Sequence, residues 1–233
     1  MAHSLIAADS IDAQPVIRRI GFADLKDVLE RGIDDFAAMP SHAVFLCLIY
    51  PIIGLILIGF SFGYQVLPLV YPLMAGFALI GPLAAIGFYE LSRRREAGLE
   101  PDVGRAFDFS GSPSLGSIAL LGLLLMGIFL AWLGTAQAIY QSLFGLRAPA
   151  SILQFANDLF TTRAGWTLIL LGNAAGFVFA AVVFVISAIS FPMLVDRDAG
   201  AAEAVLTSVR AVIANPGPMT AWGLIVAASL LLG

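Results

Sequence analysis

An all-α bundle of membrane-spanning helices, built from three repeats, is the fold class this sequence predicts. Three observations lead there. Of 233 residues, 60% are hydrophobic and only 12% charged, where soluble domains carry about 25% charge. The apolar residues gather into long runs free of Asp, Glu, Lys and Arg. Between the runs, an amphipathic segment closed by proline recurs. The predicted architecture is a single domain of three units. Each unit is a cytoplasmic amphipathic helix plus a transmembrane hairpin, and the last hairpin is incomplete.

The chain opens on residues 1–20, which carry Asp9 and Asp12. They lack the basic start and apolar core of a secretory signal, so a disordered cytoplasmic tail is expected. Phe22, Leu25, Leu29, Ile33 and Phe36 then step by 3, 4, 4 and 3, the spacing of one helical face. Asp24 can cap the start of this helix and Pro40 can close it. Its polar face is acidic, with Asp24, Asp27, Glu30, Asp34 and Asp35 against Lys26 and Arg31. An anionic leaflet repels such a face. The apolar stripe is therefore expected to pack on the protein's own cytoplasmic side or on a partner, ahead of the lipid surface.

A helix needs about 20 apolar residues to cross a ~30 Å hydrocarbon core. Residues 43–64, 67–89, 115–140 and 165–194 qualify. Gly81-Pro82 falls inside the second run and is expected to kink it, because proline removes a ladder hydrogen bond. Between the third and fourth runs, in the loop 141–164, Ile152, Phe155, Ala156 and Leu159 form a short apolar face. That predicts an interfacial helix, with a substrate lid as the alternative. The last run, 218–233, reaches only about 24 Å at 1.5 Å per residue. It is either a short re-entrant helix or a span that the sequence cuts.

Orientation follows from arginine and lysine, which concentrate on the cytoplasmic side of inner-membrane proteins. With the N-terminus inside, ten of the twelve fall on the cytoplasmic side; only Arg147 and Arg163 fall outside. The cluster Arg93, Arg94 and Arg95 is the strongest determinant. The abundance of Arg, Ala and Gly suggests a bacterial source, and hence a multi-pass protein of the inner membrane.

The repeat emerges on shifting the first amphipathic segment by 176 residues. Leu29, Ile33, Phe36 and Pro40 then land on Val205, Val209, Val212 and Pro216. A shorter version runs through Val103, Ala106 and Phe107 to Pro113, and Arg95-Glu-Ala-Gly98 recurs as Arg197-Asp-Ala-Gly200. Two complete units and the first span of a third predict a sixth span, so the chain is expected to be cut near Gly233.

The spans contain no ionisable residue to mark an ion path. Their polar residues are Thr135, Gln137, Thr167, Asn173, Ser187 and Ser190. Asn173 lies in Gly172-Asn-Ala-Ala-Gly176, whose small residues allow close helix approach. An interhelical hydrogen bond is the plain reading, and a ligand contact the alternative. Gly59-Phe-Ser-Phe-Gly63 is a similar pattern. The break at Gly81 and Pro82 could build a site, as broken helices do in transporters. Glu90 beside Arg93 and Arg94 reads as an arginine-paired carboxylate.

Chemistry is otherwise sparse. The single Cys47 excludes an internal disulfide, and His3 and His42 are too few for a multi-histidine centre. No catalytic triad, metal-ligand spacing or phosphate loop appears, so no catalytic residue, cofactor or metal is expected. No basic patch suggests nucleic acid.

Three segments carry a resemblance. They are Ile17 to Phe36, Gly81-Pro82 followed by Tyr89-Glu-Leu-Ser-Arg-Arg-Arg-Glu-Ala-Gly98, and Phe191-Pro-Met-Leu-Val-Asp-Arg-Asp-Ala-Gly200 with Ala204 to Val212. Together they resemble the bacterial predicted integral membrane proteins of domain-of-unknown-function family 2189, over about Val16 to Gly233. The resemblance implies one further span and no established activity, so no functional residues carry over. Members sometimes bear respiratory-oxidase labels; two histidines rule out a catalytic oxidase subunit but leave association with a respiratory complex open. The expected function is that of a non-catalytic accessory, assembly or regulatory protein, embedded in the bilayer beside a membrane partner. The alternative is a small-molecule or lipid transporter or binding protein. Its midplane cavity would have to be lined by Asn173, Gln137 and Ser187 together. An enzyme ranks third.

Overall fold

The computed structural model describes residues 15–38, 67–99, 114–146 and 148–232. Among them the regular structure is entirely helical. The helices are α1 (Phe22–Ala38), α2 (Val70–Phe77), α3 (Gly81–Ala84), α4 (Ile86–Glu96), α5 (Leu115–Phe144), α6 (Ile152–Thr161), α7 (Arg163–Ser187), α8 (Ser190–Asp196), α9 (Ala201–Ala214) and α10 (Pro216–Leu232). Short 3₁₀ turns at Leu67–Leu69 and Ala78–Ile80 flank α2. The expected span 43–64, with Cys47 and Gly59 to Gly63, lies outside the described residues. So do His3, His42, Pro40, Arg147 and the segment around Val103.

Among the described residues, two helices are long and apolar enough to cross a membrane: α5, and the continuous α7–α8 run Arg163–Asp196. Both overrun the expected limits by a few residues. Two bent pairs could add crossings. The first is Leu67–Gly76 with Gly81–Glu96, bent by 44°. Its cause is local: the Pro82 ring would strike the carbonyl of Ala78 in a straight helix, and the 3₁₀ turn begins at that residue. The second is α9 with α10, bent by 108°. Asn215, which precedes Pro216, leaves helical geometry there (φ −132°, ψ 54°), because a following proline disfavours it.

A stripe of α5 runs through the core, which Leu79, Ile86, Val183, Phe191 and Leu194 complete from other elements. Ile118, Leu121, Leu125, Phe129, Trp132, Ala136 and Tyr140 are all buried, stepping by 3 and 4 along a face that meets α7 and α2. In lipid, packing quality rather than water exclusion drives helix association, and Trp132 is the largest piece of that packing. Its ring lies against Gly176 of α7 and Gly76 of α2. It sits 5.7 Å from Phe179, centroid to centroid, and its Nε1 donates to the Pro72 carbonyl at 2.9 Å. The opposite faces leave Leu120, Leu123, Leu130, Leu170 and Phe177 exposed, as surfaces toward acyl chains require.

α9 packs beside the α7–α8 junction. Its expected apolar face was Val205, Val209 and Val212, but these are only half-buried; Ala204, Thr207 and Ser208 are the buried residues. The reason is a close approach that only small side chains permit. The Ser208 hydroxyl accepts from the Ile189 N–H at 3.2 Å and donates to the Val185 carbonyl at 2.8 Å. It thus bridges the two groups that an unbroken helix would join directly.

The shared Arg95–Gly98 and Arg197–Gly200 motifs differ in backbone. Gly98 adopts φ +69° after α4, while Gly200 is the extended N-cap of α9. The part of the tail that is described, residues 15–20, has no regular structure but is tied to Asn215 by hydrogen bonds. The expected disorder does not extend to it.

Candidate functional site

The sequence-expected site residues do not converge. Asn173 accepts a hydrogen bond from the Tyr71 hydroxyl of α2 at 2.8 Å and donates to the Ile169 carbonyl. Gly176 faces Trp132, but Gly172 faces open space. Gly81 and Pro82 are half-buried at the start of α3. Gln137 lies near the far end of α5, its Oε1 buried without a hydrogen-bond partner. Ser187 is buried and donates to the Val183 carbonyl. Asn173 and Ser187 stand fourteen residues apart on one helix, about 21 Å at 1.5 Å per residue. The three polar residues cannot line one midplane cavity.

Organised polar structure gathers instead at the arginine-rich end, where α4, α8 and α9 terminate or turn and α5 and α10 begin. Glu90 is buried there, and Arg93 grips it with two bonds of 2.7 and 2.8 Å. Arg94 adds a longer contact at 3.5 Å. Buried carboxylates persist only when paired in this way. Ser114 and Ser117 at the start of α5 donate to the Arg197 and Ala199 carbonyls at 3.0 and 2.9 Å. They satisfy backbone acceptors in the α8–α9 link.

Asn215 is the hub of this end. Buried at the α9–α10 corner, it accepts from the Ile20 N–H at 2.8 Å and donates to the carbonyls of Arg18 and Ala211, each at 3.0 Å. Sequence reading missed it. The one available signal was an Asn immediately before Pro216, where a helix must end with unsatisfied carbonyls.

From this anchor the chain enters α1. Asp24 accepts from the Gly21 N–H at 2.7 Å, reaching back from the third helical position in half of a capping box. At the other end Asp35 accepts from Ser92 and pairs with Arg95 of α4. Among the described residues, the apolar stripe packs on the protein only at its start. Leu25 is half-buried, while Phe22, Ile33 and Phe36 stay 65%, 59% and 52% exposed. Polar groups hold both ends of α1, and Leu25 with the Phe22 ring, which approaches Gly217 of α10, adds apolar contact at its first turn.

A cavity of about 640 Å³ opens between residues 15–20 and the elements α4, α8, α9 and α10. Its apolar lining includes Ile189, Pro192, Met193 and Met219. Its charged residues are Arg18, Arg93, Glu96, Asp196 and Arg197. No group of metal-ligating side chains occurs among the described residues.

At the opposite end, α6 forms the short helix expected there. Ser151 caps it by accepting from the Gln154 N–H. Phe155 packs edge-on to Tyr140 at 6.2 Å, and Ile152 alone of the expected face is exposed.

Apolar helices with bare outer faces, charge confined to their ends, and a core held by close helix contact define an integral membrane protein. A family model described as "Predicted integral membrane protein (DUF2189)" matches residues 70–196, more than half of the chain, and the chain belongs to that family. No curated protein and no solved structure matches it.

Proposed function

We propose that this protein is a non-catalytic accessory or regulatory component of a bacterial inner membrane, oriented with its arginine-rich end in the cytoplasm, that assembles with another membrane protein. The observation that carries this reading is α1. The helix is fastened at both ends, by Asn215 and by Asp35, yet among the described residues Ile33 and Phe36 of its apolar stripe are uncovered. A fixed helix with a bare apolar face is suited to helix-in-groove docking. Its acidic polar face disfavours an anionic leaflet as the occupant. The separation of Asn173, Gln137 and Ser187 weighs against the transporter alternative.

The test is native mass spectrometry of the full-length protein, gently extracted from its host, beside an Ile33→Glu/Phe36→Glu variant. A partner subunit in fixed stoichiometry that the variant loses is the expected result. A respiratory complex is the first partner class to look for. Wild-type protein that flies alone, or a partner retained equally by the variant, overturns the proposal.

A further inference from the structure

We propose that the cavity at the arginine-rich end binds a zwitterionic aminophospholipid of the surrounding bilayer, its phosphate on Arg18 and its ammonium on Glu96. The inference goes beyond partner docking and does not depend on it.

Four features of the cavity support this. Its volume of about 640 Å³ lies within the roughly 300–1,000 Å³ of sites that enclose small molecules. Its apolar lining comes from the last turns of the α7–α8 run and the first turn of α10, helix ends that the proposed orientation places at the membrane surface. Its charges are not interchangeable. Arg93 is committed to Glu90 through two short bonds, and Asp196 has Arg197 at 3.7 Å. Arg18 and Glu96 line the same cavity and have no ion-pair partner among the described residues. One cation and one anion left over on the rim of an apolar cavity match a headgroup carrying one of each. A purely anionic headgroup would leave Glu96 as a repulsive neighbour, and a neutral one would leave both charges unanswered. Finally, Asn215 holds the backbone of Arg18 in place, so the cation is presented rather than left on a loose tail.

The experiment titrates delipidated, detergent-purified full-length protein with dioctanoyl phosphatidylethanolamine. Comparators are dioctanoyl phosphatidylglycerol and the chain-free headgroup glycerophosphoethanolamine, with native mass spectrometry as readout. The ethanolamine lipid is expected to bind at least about tenfold more tightly than either comparator. Arg18→Gln and Glu96→Gln should each weaken it by about tenfold to a hundredfold, the range for a hydrogen bond to a charged group. Both side chains are exposed, so the lipid-free melting temperature should not move. The charge-swapped pair Arg18→Glu/Glu96→Arg should recover part of the affinity. Equal or tighter binding of the glycerol lipid overturns the proposal, as does wild-type affinity in both single variants or no binding of the ethanolamine lipid. Binding of the chain-free headgroup as tightly as the lipid would show a soluble ligand and overturn the assignment to the bilayer.

Discussion

Glycines in this protein look alike in sequence and differ sharply in what surrounds them. A side chain at Gly76 would meet Trp132 at 2.6 Å, while Gly172 has open space around it. Gly76→Ala should therefore cost about 1–3 kcal/mol by overpacking, and Gly172→Ala should fall within about 0.5 kcal/mol of wild type. Thermal unfolding of the two variants in one detergent compares them directly; similar melting temperatures would discount Trp132 as the packing centre. Gly165 is stricter still. A Cβ there would lie 2.2 Å from the Leu159 carbonyl oxygen, and backbone cannot yield as a ring can. Gly165→Ala is expected to lower the melting temperature more than Gly76→Ala does. Asn215 acts through three hydrogen bonds rather than volume. Asn215→Leu should release residues 15–21, seen as faster amide exchange at Ile20; unchanged protection there would mean that other contacts hold the segment.

Among the elements, the α7–α8 run is distinctive because it is completed by another helix. Pro192 removes a donor from its last turns, and Ser208 of α9 supplies a hydroxyl between Ile189 and Val185. Ser208→Ala strands a buried N–H unless the helix straightens, at about 1–3 kcal/mol for an unsatisfied group. Faster exchange at the Ile189 amide and a lower melting temperature are expected; Ser208→Thr tests whether the hydroxyl alone suffices where space is tight. A Ser208→Ala variant indistinguishable from wild type would mean that the ladder closes without the hydroxyl. α1 obeys a different logic, because polar groups hold both its ends while Ile33 and Phe36 of its apolar face stay exposed.

At the scale of the molecule, charge and depth are the governing facts. Arg93, Arg94 and Arg95, residues 15–21 and the α9–α10 corner share one end, and α6 lies at the other. In the proposed orientation the first end is cytoplasmic. In a Cys47→Ser background, a cysteine at Ala150 should react with a membrane-impermeant maleimide added to intact spheroplasts, and one at Ala97 should not. The opposite pattern would invert the orientation and with it the location of both the α1 surface and the cavity.

Apolar run length, the absence of charge within the runs, Pro82 and the 3–4 spacing in α1 and α6 are local properties. They carry the helical class, the two long crossings, the 44° bend and the ends of the short helices. Side-chain identity along one segment reports its periodicity but not its neighbour. For that reason Ile33 and Phe36 in the stripe of α1 read as buried in sequence and are exposed in the structure, and α9 buries Ala204 and Ser208 in place of its valines. Asn173 read as an interhelical bond or a ligand contact, and only the fold brought Tyr71 to it. Asn215 gave only the hint of its place before Pro216, because its bonds to residues 18 and 20 join segments almost the whole chain apart. Sequence by itself determined that this chain belongs in lipid, since its apolar content leaves no alternative solvent. Tertiary structure alone decided where its polar groups meet, because a hydrogen bond between residues 18 and 215 depends on how the spans are arranged.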